Sequence, residues 1–232
     1  MLKEDVEGVY LVIPAYNEEK RIGYLLEEIA KIGYHIVIVN DGSSDKTFDI
    51  AMGIRDKYPD LITVISHVIN RGVGSATKTG IDVAYNHGAK YIVTFDGDGQ
   101  HAIEDIPKVC KPLKDGVADA VTGARPLKDM PLTKTFANRI MNFLTFFFYN
   151  ANVMDSQTGL RAITAEASQK INIVSRGYGI SSEFIKEIKN NNLRYQEVII
   201  KTIYTDDTQH KGTNFWVGIK LLIKFTLDFF NI

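Results

Sequence analysis

The sequence predicts one α/β domain, a mostly parallel central sheet with helices on both faces. Three observations carry this reading. Short runs rich in Val and Ile alternate with segments whose apolar residues recur at helical spacing. Polar turns rich in glycine and aspartate directly follow the apolar runs. The chain has 232 residues, 45% hydrophobic and 24% charged, enough for one sizeable core and too apolar for a disordered protein.

In chain order, the apolar runs at 9–13, 36–39, 61–65, 91–95 and 118–122 read as buried strands. Between the first two, 19–32 places Ile22, Leu25, Leu26 and Ile29 on one helical face. A second helix, 45–58, opens at Ser44 and Asp45, a capping signal, and stops before Pro59. A third, 75–86, ends at His87 and Gly88. Strand, helix, strand in this rhythm means βαβ units. The second half is less regular, with an amphipathic stretch at 133–151, a helix near 181–191, a strand at 197–203 and a closing helix at 215–230. No repeat or linker marks a boundary, so residues 1–232 are expected to form a single domain.

Several function classes fall away on composition. Lys and Arg total 27 against 28 Asp and Glu, a net charge of −1, which argues against nucleic-acid binding by bulk charge. A single cysteine, Cys110, excludes an internal disulfide and a cysteine-rich zinc site, and fits a reducing compartment. It lies in a helical pattern and reads as a small core residue. The N-terminal stretch is too acidic, and its apolar run too short, for a signal peptide. No segment offers the 18 or more uncharged apolar residues of a membrane span. Residues 140–154 are uncharged but too few, and 215–232 carries Lys220, Lys224 and Asp228. The expectation is a soluble chain that touches a bilayer.

In open α/β sheets ligands bind beyond the carboxyl ends of the strands, so the post-strand sequences are the ones to read for chemistry. They are Pro14, Ala15, Tyr16, Asn17, Glu18 and Glu19; then Asn40, Asp41, Gly42, Ser43, Ser44 and Asp45; then Asn70, Arg71, Gly72, Val73 and Gly74; then Asp96, Gly97, Asp98, Gly99, Gln100 and His101. Any one of them is also an ordinary turn. Together they set carboxylates, an arginine and glycines along one rim. Asp96 and Asp98 are the sharpest feature. Two carboxylates two residues apart at a strand end can share Mg²⁺ or Mn²⁺, whose shell substrate phosphates normally complete. As an EF-hand the run fails, with His101 at the sixth position and Pro107 at the twelfth. Residues 72–79 (GVGSATKT) match a phosphate-binding P-loop except at Thr77, whose Cβ would sit where the backbone must wrap a phosphate.

These residues resemble the inverting family-2 glycosyltransferases of GT-A fold. The likeness is closest to the polyprenyl-phosphate sugar synthases, that is, the dolichyl-phosphate mannose and glucose synthases. The Val12–Glu18 run, the Asn40–Asp45 run and the Asp96–His101 run carry it. Asp155 through Arg161 resembles the family's acceptor-side Asp-x-x-x-Gly-Phe-Arg segment, and Gly177 through Glu183 its Gly-Phe…Glu segment. The resemblance implies a GT-A-like (Rossmann-like) fold, with residues 1–125 as the nucleotide-sugar half and 126–232 as the acceptor half. It implies that Pro14, Ala15, Tyr16 and Glu18 line the nucleotide pocket, that Asp41 bonds the base, and that Arg71 lies near the nucleotide. Asp96 and Asp98 would be the Asp-x-Asp pair, with Gln100 as a further metal ligand and His101 in support. Asp98, Asp155 and Arg125 would carry the reaction.

The acceptor decides what Asp155 does. A hydroxyl acceptor needs a general base, and Asp155 is the candidate. A lipid phosphate is already an anionic nucleophile, so cations to hold it matter more; Arg125, Lys134, Arg139 and Lys211 are available. Phe143, Phe146, Phe147, Phe148 and Tyr149 follow Lys134 and Arg139, and Trp216, Leu222, Ile223, Phe225, Phe229 and Phe230 accompany Lys220 and Lys224. Such mixtures suit interfacial helices, and equally core helices or a dimer interface. The expected protein is a metal-dependent transferase moving a hexose from UDP- or GDP-hexose to a polyprenyl phosphate. It would sit peripherally at the cytoplasmic membrane face, directly or through a membrane partner protein, with self-association left open. The rivals are transfer to a glycan hydroxyl, a P-loop NTPase dependent on Lys78, and a non-catalytic nucleotide-sugar binder.

Overall fold

The computed structural model describes residues 3–126, 130, 132–175, 179–201 and 203. Strands β1 (Val9–Ala15), β2 (His35–Asn40), β3 (Ile62–Ser66) and β4 (Tyr91–Thr94) pair in parallel, with β1 between β2 and β4. Strands β5 (Ala120–Ala124), β6 (Arg161–Thr164) and β7 (Tyr195–Ile199) extend the sheet in the order β3-β2-β1-β4-β6-β5-β7. The β5–β7 pair is parallel; β6 alone runs antiparallel to both neighbours.

The continuous apolar run of β1 follows from burial on both sides. Val9, Leu11 and Ile13 face one core, packed by helices α2 (Ile22–Ile32), α3 (Thr47–Lys57) and α5 (Ile106–Lys114). Val12 faces a second core, with α4 (Val73–Asn86), α7 (Ala165–Ser168) and α8 (Ile180–Asn190). Period-2 alternation in a parallel strand thus serves two hydrophobic layers. Two further helices add to these layers: Val6 of α1 (Lys3–Val6) packs against the first core, and the 18-residue α6 (Leu132–Tyr149) contacts α8 and sets Tyr149 against the second. Cys110 is buried in the first core, and burial pushes its thiol up to about 12, as a structural cysteine requires.

All five expected strands form, within two residues of their expected ends. Helix α2 begins three residues late, because residues 17–19 are tied to the loop after β2. Helix α4 begins early, at Val73, directly after Gly72. That removes the P-loop. Residues 73–79 are helical, the Thr77 hydroxyl donates to the Val73 carbonyl 2.8 Å away, and Lys78 is paired with Asp82 one turn on. The four-residue β6 opens on a charged residue and was not expected. The last strand starts at Tyr195, two residues before the expected position. The closing helix expected at 215–230 lies outside the described residues. Among those described, no helix is long and apolar enough to cross a membrane.

Candidate active site

The parallel strands β1, β2 and β4 end on one rim, and the loops that leave them lock together. The N–H of Asn17 donates to Ser43 Oγ (3.0 Å), and that of Ser44 returns to Asn17 Oδ1 (2.9 Å). The N–H of Glu18 donates to Thr47 Oγ1 at 2.8 Å, and that of Glu19 to Asp45 Oδ2 at 3.1 Å. Asn17 adopts a left-handed φ of 55°, which asparagine tolerates better than most residues. Burial pushes the Asp45 carboxyl up, but bonds from Thr47 and Glu19 outweigh this and hold it below the usual range. Pro14 and Ala15 therefore end β1 on a fixed ledge, and Tyr16 stands exposed at its edge.

Asp41 is buried at the end of β2. Its carboxylate accepts the N–H of Arg71 (2.9 Å) and of Gly72 (2.7 Å), gathering the loop that leads into α4. His67 Nδ1 lies 2.7 Å from Asp41 Oδ1 and must donate, because an ionised carboxylate only accepts. Its Nε2 is hydrogen-bonded with Thr79 Oγ1 at 3.0 Å. The same loop passes so close to Gly42 that a Cβ there would stand 2.6 Å from the Asn70 nitrogen, and φ is +66°; only glycine fits. The side chain of Arg71 is exposed at the rim.

After β4 come the two carboxylates. Asp96 is partly exposed, and His101, buried edge-on against Phe95, donates from Nε2 to its Oδ2 at 3.1 Å. Burial pushes the Asp96 carboxyl up, but the His101 hydrogen bond and the charges of His101, Arg161 and Arg125 hold it below the ordinary range. Asp98 accepts from both the backbone N–H (3.0 Å) and the side-chain amide of Gln100. Gln100 thus stands as the partner of Asp98.

Across from this turn lies the segment entering β6. Thr94 donates to the Gly159 carbonyl at 2.7 Å and draws the Gly159 Cα against the Asp96 carboxylate. Asp155 is buried and held by Arg125, which reaches it from the end of β5: Nε to Oδ2 at 2.6 Å, Nη2 to Oδ1 at 3.1 Å, and the backbone N–H to Oδ2 at 3.2 Å. Arg161, the first residue of β6, is buried, donates to Ser181 Oγ at 2.6 Å and lies 5.5 Å from the Phe184 ring centroid. Burial lowers its pKa, opposed by the negative charges of Asp96 and Asp155. The carboxylates of Asp96 and Asp155 and the guanidinium groups of Arg125 and Arg161 thus share one electrostatic environment.

The expected residues Asp96, Asp98, Gln100, Arg125 and Asp155 are therefore brought together, and Pro14, Ala15, Tyr16, Glu18, Asp41 and Arg71 line the adjoining rim. Arg139 is exposed on α6; the side chain of Lys134, all of Lys211, and Gly177 and Tyr178 lie outside the described residues. The family resemblance singles out Arg161 as the arginine closing the acceptor-side segment without giving it a role, and His67 had none; His67 shows itself only through its contacts. Among the described residues no three His, Cys, Asp or Glu side chains converge on one point. The donor set Asp96 and Asp98 fits a hard cation that takes its remaining ligands from substrate oxygens and water.

A seven-stranded, mostly parallel sheet with an Asp-x-Asp turn on the rim beyond its central strand defines a glycosyltransferase of GT-A fold. The chain belongs to glycosyl transferase family 2, whose model matches residues 10–172. It is 43% identical, over 96% of its length and 92% of the relative's, to an uncharacterised protein of Methanocaldococcus jannaschii. It is 38% identical, over 94% of this chain and 95% of the other, to the UDP-N-acetylglucosamine–dolichyl-phosphate N-acetylglucosaminyltransferase of Methanococcus voltae. Among solved structures it resembles the glucosyl-3-phosphoglycerate synthase of Mycobacterium tuberculosis, crystallised with Mn²⁺, UDP and glucosyl-3-phosphoglycerate. That match has a TM-score of 0.70 at 16% identity, over 97% of this chain and 80% of that one, and speaks to fold alone.

Proposed function

We propose that this glycosyltransferase moves a hexose or N-acetylhexosamine from a UDP-sugar to a polyprenyl phosphate, with inversion at the anomeric carbon. The observation that carries the reading is the state of Asp155. A general base must be able to take a proton from its substrate, and Asp155 is buried and clamped by Arg125 through both oxygens. Such a site suits an acceptor that is already an anion. A phosphate oxygen attacks C1 of the sugar, the C1–O bond to the diphosphate breaks as the new C1–O bond forms, and no proton changes hands.

The chain's own groups divide the work. Asp41 and the loops locked around it present the rim on which the nucleoside lies, with Tyr16 and Arg71 at its edge. Asp96 and Asp98 would hold Mg²⁺ or Mn²⁺, which neutralises charge on the departing diphosphate when bound. Arg125 and Arg161 supply the positive field that draws an anionic acceptor toward the sugar. The M. voltae relative's name supports uridine as the base and a dolichyl phosphate as the acceptor.

Helix α6 fits a lipid-borne acceptor. Phe136, Ile140, Phe143 and Phe147 recur at one-turn spacing and are 44–67% exposed, with Phe146 beside them. Phe148 and Tyr149, expected in the same cluster, instead pack partly buried with Leu144 against Met141. The outward stripe suits the headgroup layer of a membrane, where the acceptor phosphate lies. The test incubates the protein with UDP-GlcNAc, UDP-glucose or GDP-mannose, a polyprenyl phosphate and Mn²⁺, and follows sugar into the lipid phase. Transfer to a free glycan hydroxyl in preference to the lipid would refute the acceptor reading. Co-sedimentation with anionic vesicles at low salt tests the membrane contact, and failure to bind would remove it.

A further inference from the structure

The segment between α6 and β6 has no regular secondary structure from residue 150 to residue 160, yet from residue 154 onward most of its backbone is held. Two side chains from distant elements hold residues 154–156. Glu197, on β7, accepts the N–H of Met154 with both carboxylate oxygens (2.9 and 2.8 Å) and the N–H of Asp155 with one (3.2 Å). Asn142, midway along α6, donates its amide to the Met154 carbonyl at 2.7 Å and accepts the Ser156 N–H at 2.9 Å. Three consecutive residues are thus gripped from two sides. The middle one is Asp155, whose carboxylate orients Arg125.

The chemistry of the two grips is specific. Asn142 meets a carbonyl and an N–H at once, which calls for a side chain carrying both a donor and an acceptor. Leucine has nearly its shape and neither function. Glu197 meets donors on every side, the two N–H groups and the Tyr195 hydroxyl, which suits a carboxylate; glutamine would turn an N–H₂ toward one of them. Neither side chain is bonded to the β1, β2 or β4 loops that form the nucleotide rim.

We infer that Asn142 and Glu197 are positioning residues that fix the acceptor-side segment 154–156, and through it the Asp155–Arg125 pair, without bearing on the donor. This rests on the reading of that segment as the acceptor's. It also ties the aromatic helix α6 to the reaction, because Asn142 adjoins Phe143 of the exposed stripe while its amide holds the loop.

The test compares Asn142→Leu and Glu197→Gln with the parent. Asn142→Leu removes two hydrogen bonds, and Glu197→Gln sets an N–H₂ against an N–H that the carboxylate accepts, so KM for polyprenyl phosphate should rise about tenfold while KM for the UDP-sugar stays within about twofold. Thermal stabilisation by UDP with Mn²⁺ should match the parent's. Hydrogen exchange reads the clamp directly: the Ser156 amide should exchange faster in Asn142→Leu, and the Met154 and Asp155 amides faster in Glu197→Gln. Equal loss of donor and acceptor affinity, or an unchanged acceptor KM, would overturn the inference. If Asn142→Leu does not fold, Glu197→Gln carries the same test from the opposite side of the loop. If the parent uses a hydroxyl acceptor instead, the proposed function fails, and the same split measured with that acceptor still judges the clamp.

Discussion

Gly159→Ala is a small change with a large calculated consequence. A Cβ at residue 159 would stand 2.6 Å from Asp96 Oδ1 and closer still to Oδ2, whereas ordinary contact begins at 3.4 Å. Ordinary contact with the nearer oxygen therefore requires a movement of about 1.6 Å. The backbone of Gly159 is pinned by the 2.7 Å bond from Thr94, so the carboxylate has to yield. Because Asp96 is partly exposed it can swing outward, at the cost of its bond to His101. Overpacking of this kind costs about 1–3 kcal/mol, and here the low end applies, since a side chain rather than the sheet gives way. For a chain of this length that is a fall of about 2–4 °C in Tm. The catalytic effect should be far larger: displacing a reacting group by about 1 Å costs on the order of a hundredfold in rate. The assay is sugar transfer beside a melting curve. Full transfer activity in Gly159→Ala, or a collapse of stability that accounts for the lost activity, would refute the placement of Asp96 at the centre of the site.

Four further outcomes follow from the same geometry. Asp98→Ala should abolish turnover and the Mn²⁺-dependent stabilisation by UDP with little change in Tm without ligand; retained activity would end its metal role. Asp155→Asn breaks a buried bidentate pair, worth about 3–5 kcal/mol, so Tm should fall by about 6–20 °C; a Tm unchanged within error would show the pair is not formed. Asp119 is held below the usual carboxylate range by the hydrogen bond from Arg194. A depressed carboxylate contributes stability above about pH 4 and loses it as pH falls through its folded value, so Asp119→Asn should flatten the decline in denaturant midpoint between about pH 5 and 3. Phe143→Ser with Phe147→Ser should weaken vesicle binding while leaving UDP binding as in the parent, checked by co-sedimentation and thermal shift.

The chemistry that lies within one short stretch was legible in the sequence; the chemistry made by contact was not. Asp96 and Asp98 sit two residues apart after an apolar run, and that local pattern alone puts both on the turn that leaves β4. The five Val- and Ile-rich strands were legible for the same reason, since burial on both faces of a parallel sheet leaves a continuous apolar signature. Arg125 and Asp155 are 30 positions apart, and nothing in either's neighbours announces that they pair. That pairing gives the buried Asp155 carboxylate a cation partner, the observation on which the proposed acceptor rests. His67 showed no metal spacing, yet it bridges Asp41 and Thr79 in the buried frame beneath the rim beyond β2. The GVGSATKT stretch misled in the opposite direction, because a glycine-rich string resembles a loop until tertiary packing winds it into α4. Strand β6 escaped notice because four residues beginning with Arg161 carry too little periodicity to be read.

The central claim is that a sugar leaves a UDP donor for a lipid phosphate at the rim formed by Asp96, Asp98, Arg125 and Arg161. It is tested most directly by incubating the protein with UDP-[¹⁴C]GlcNAc, Mn²⁺ and a polyprenyl phosphate, extracting the lipid, and determining the anomeric configuration of any labelled product. The account predicts label in the lipid phase as a β-linked sugar phosphate, lost with EDTA and in Asp98→Ala. Label that stays in the aqueous phase with UDP-GlcNAc and UDP-glucose alike, or a lipid product of retained α configuration, would contradict it.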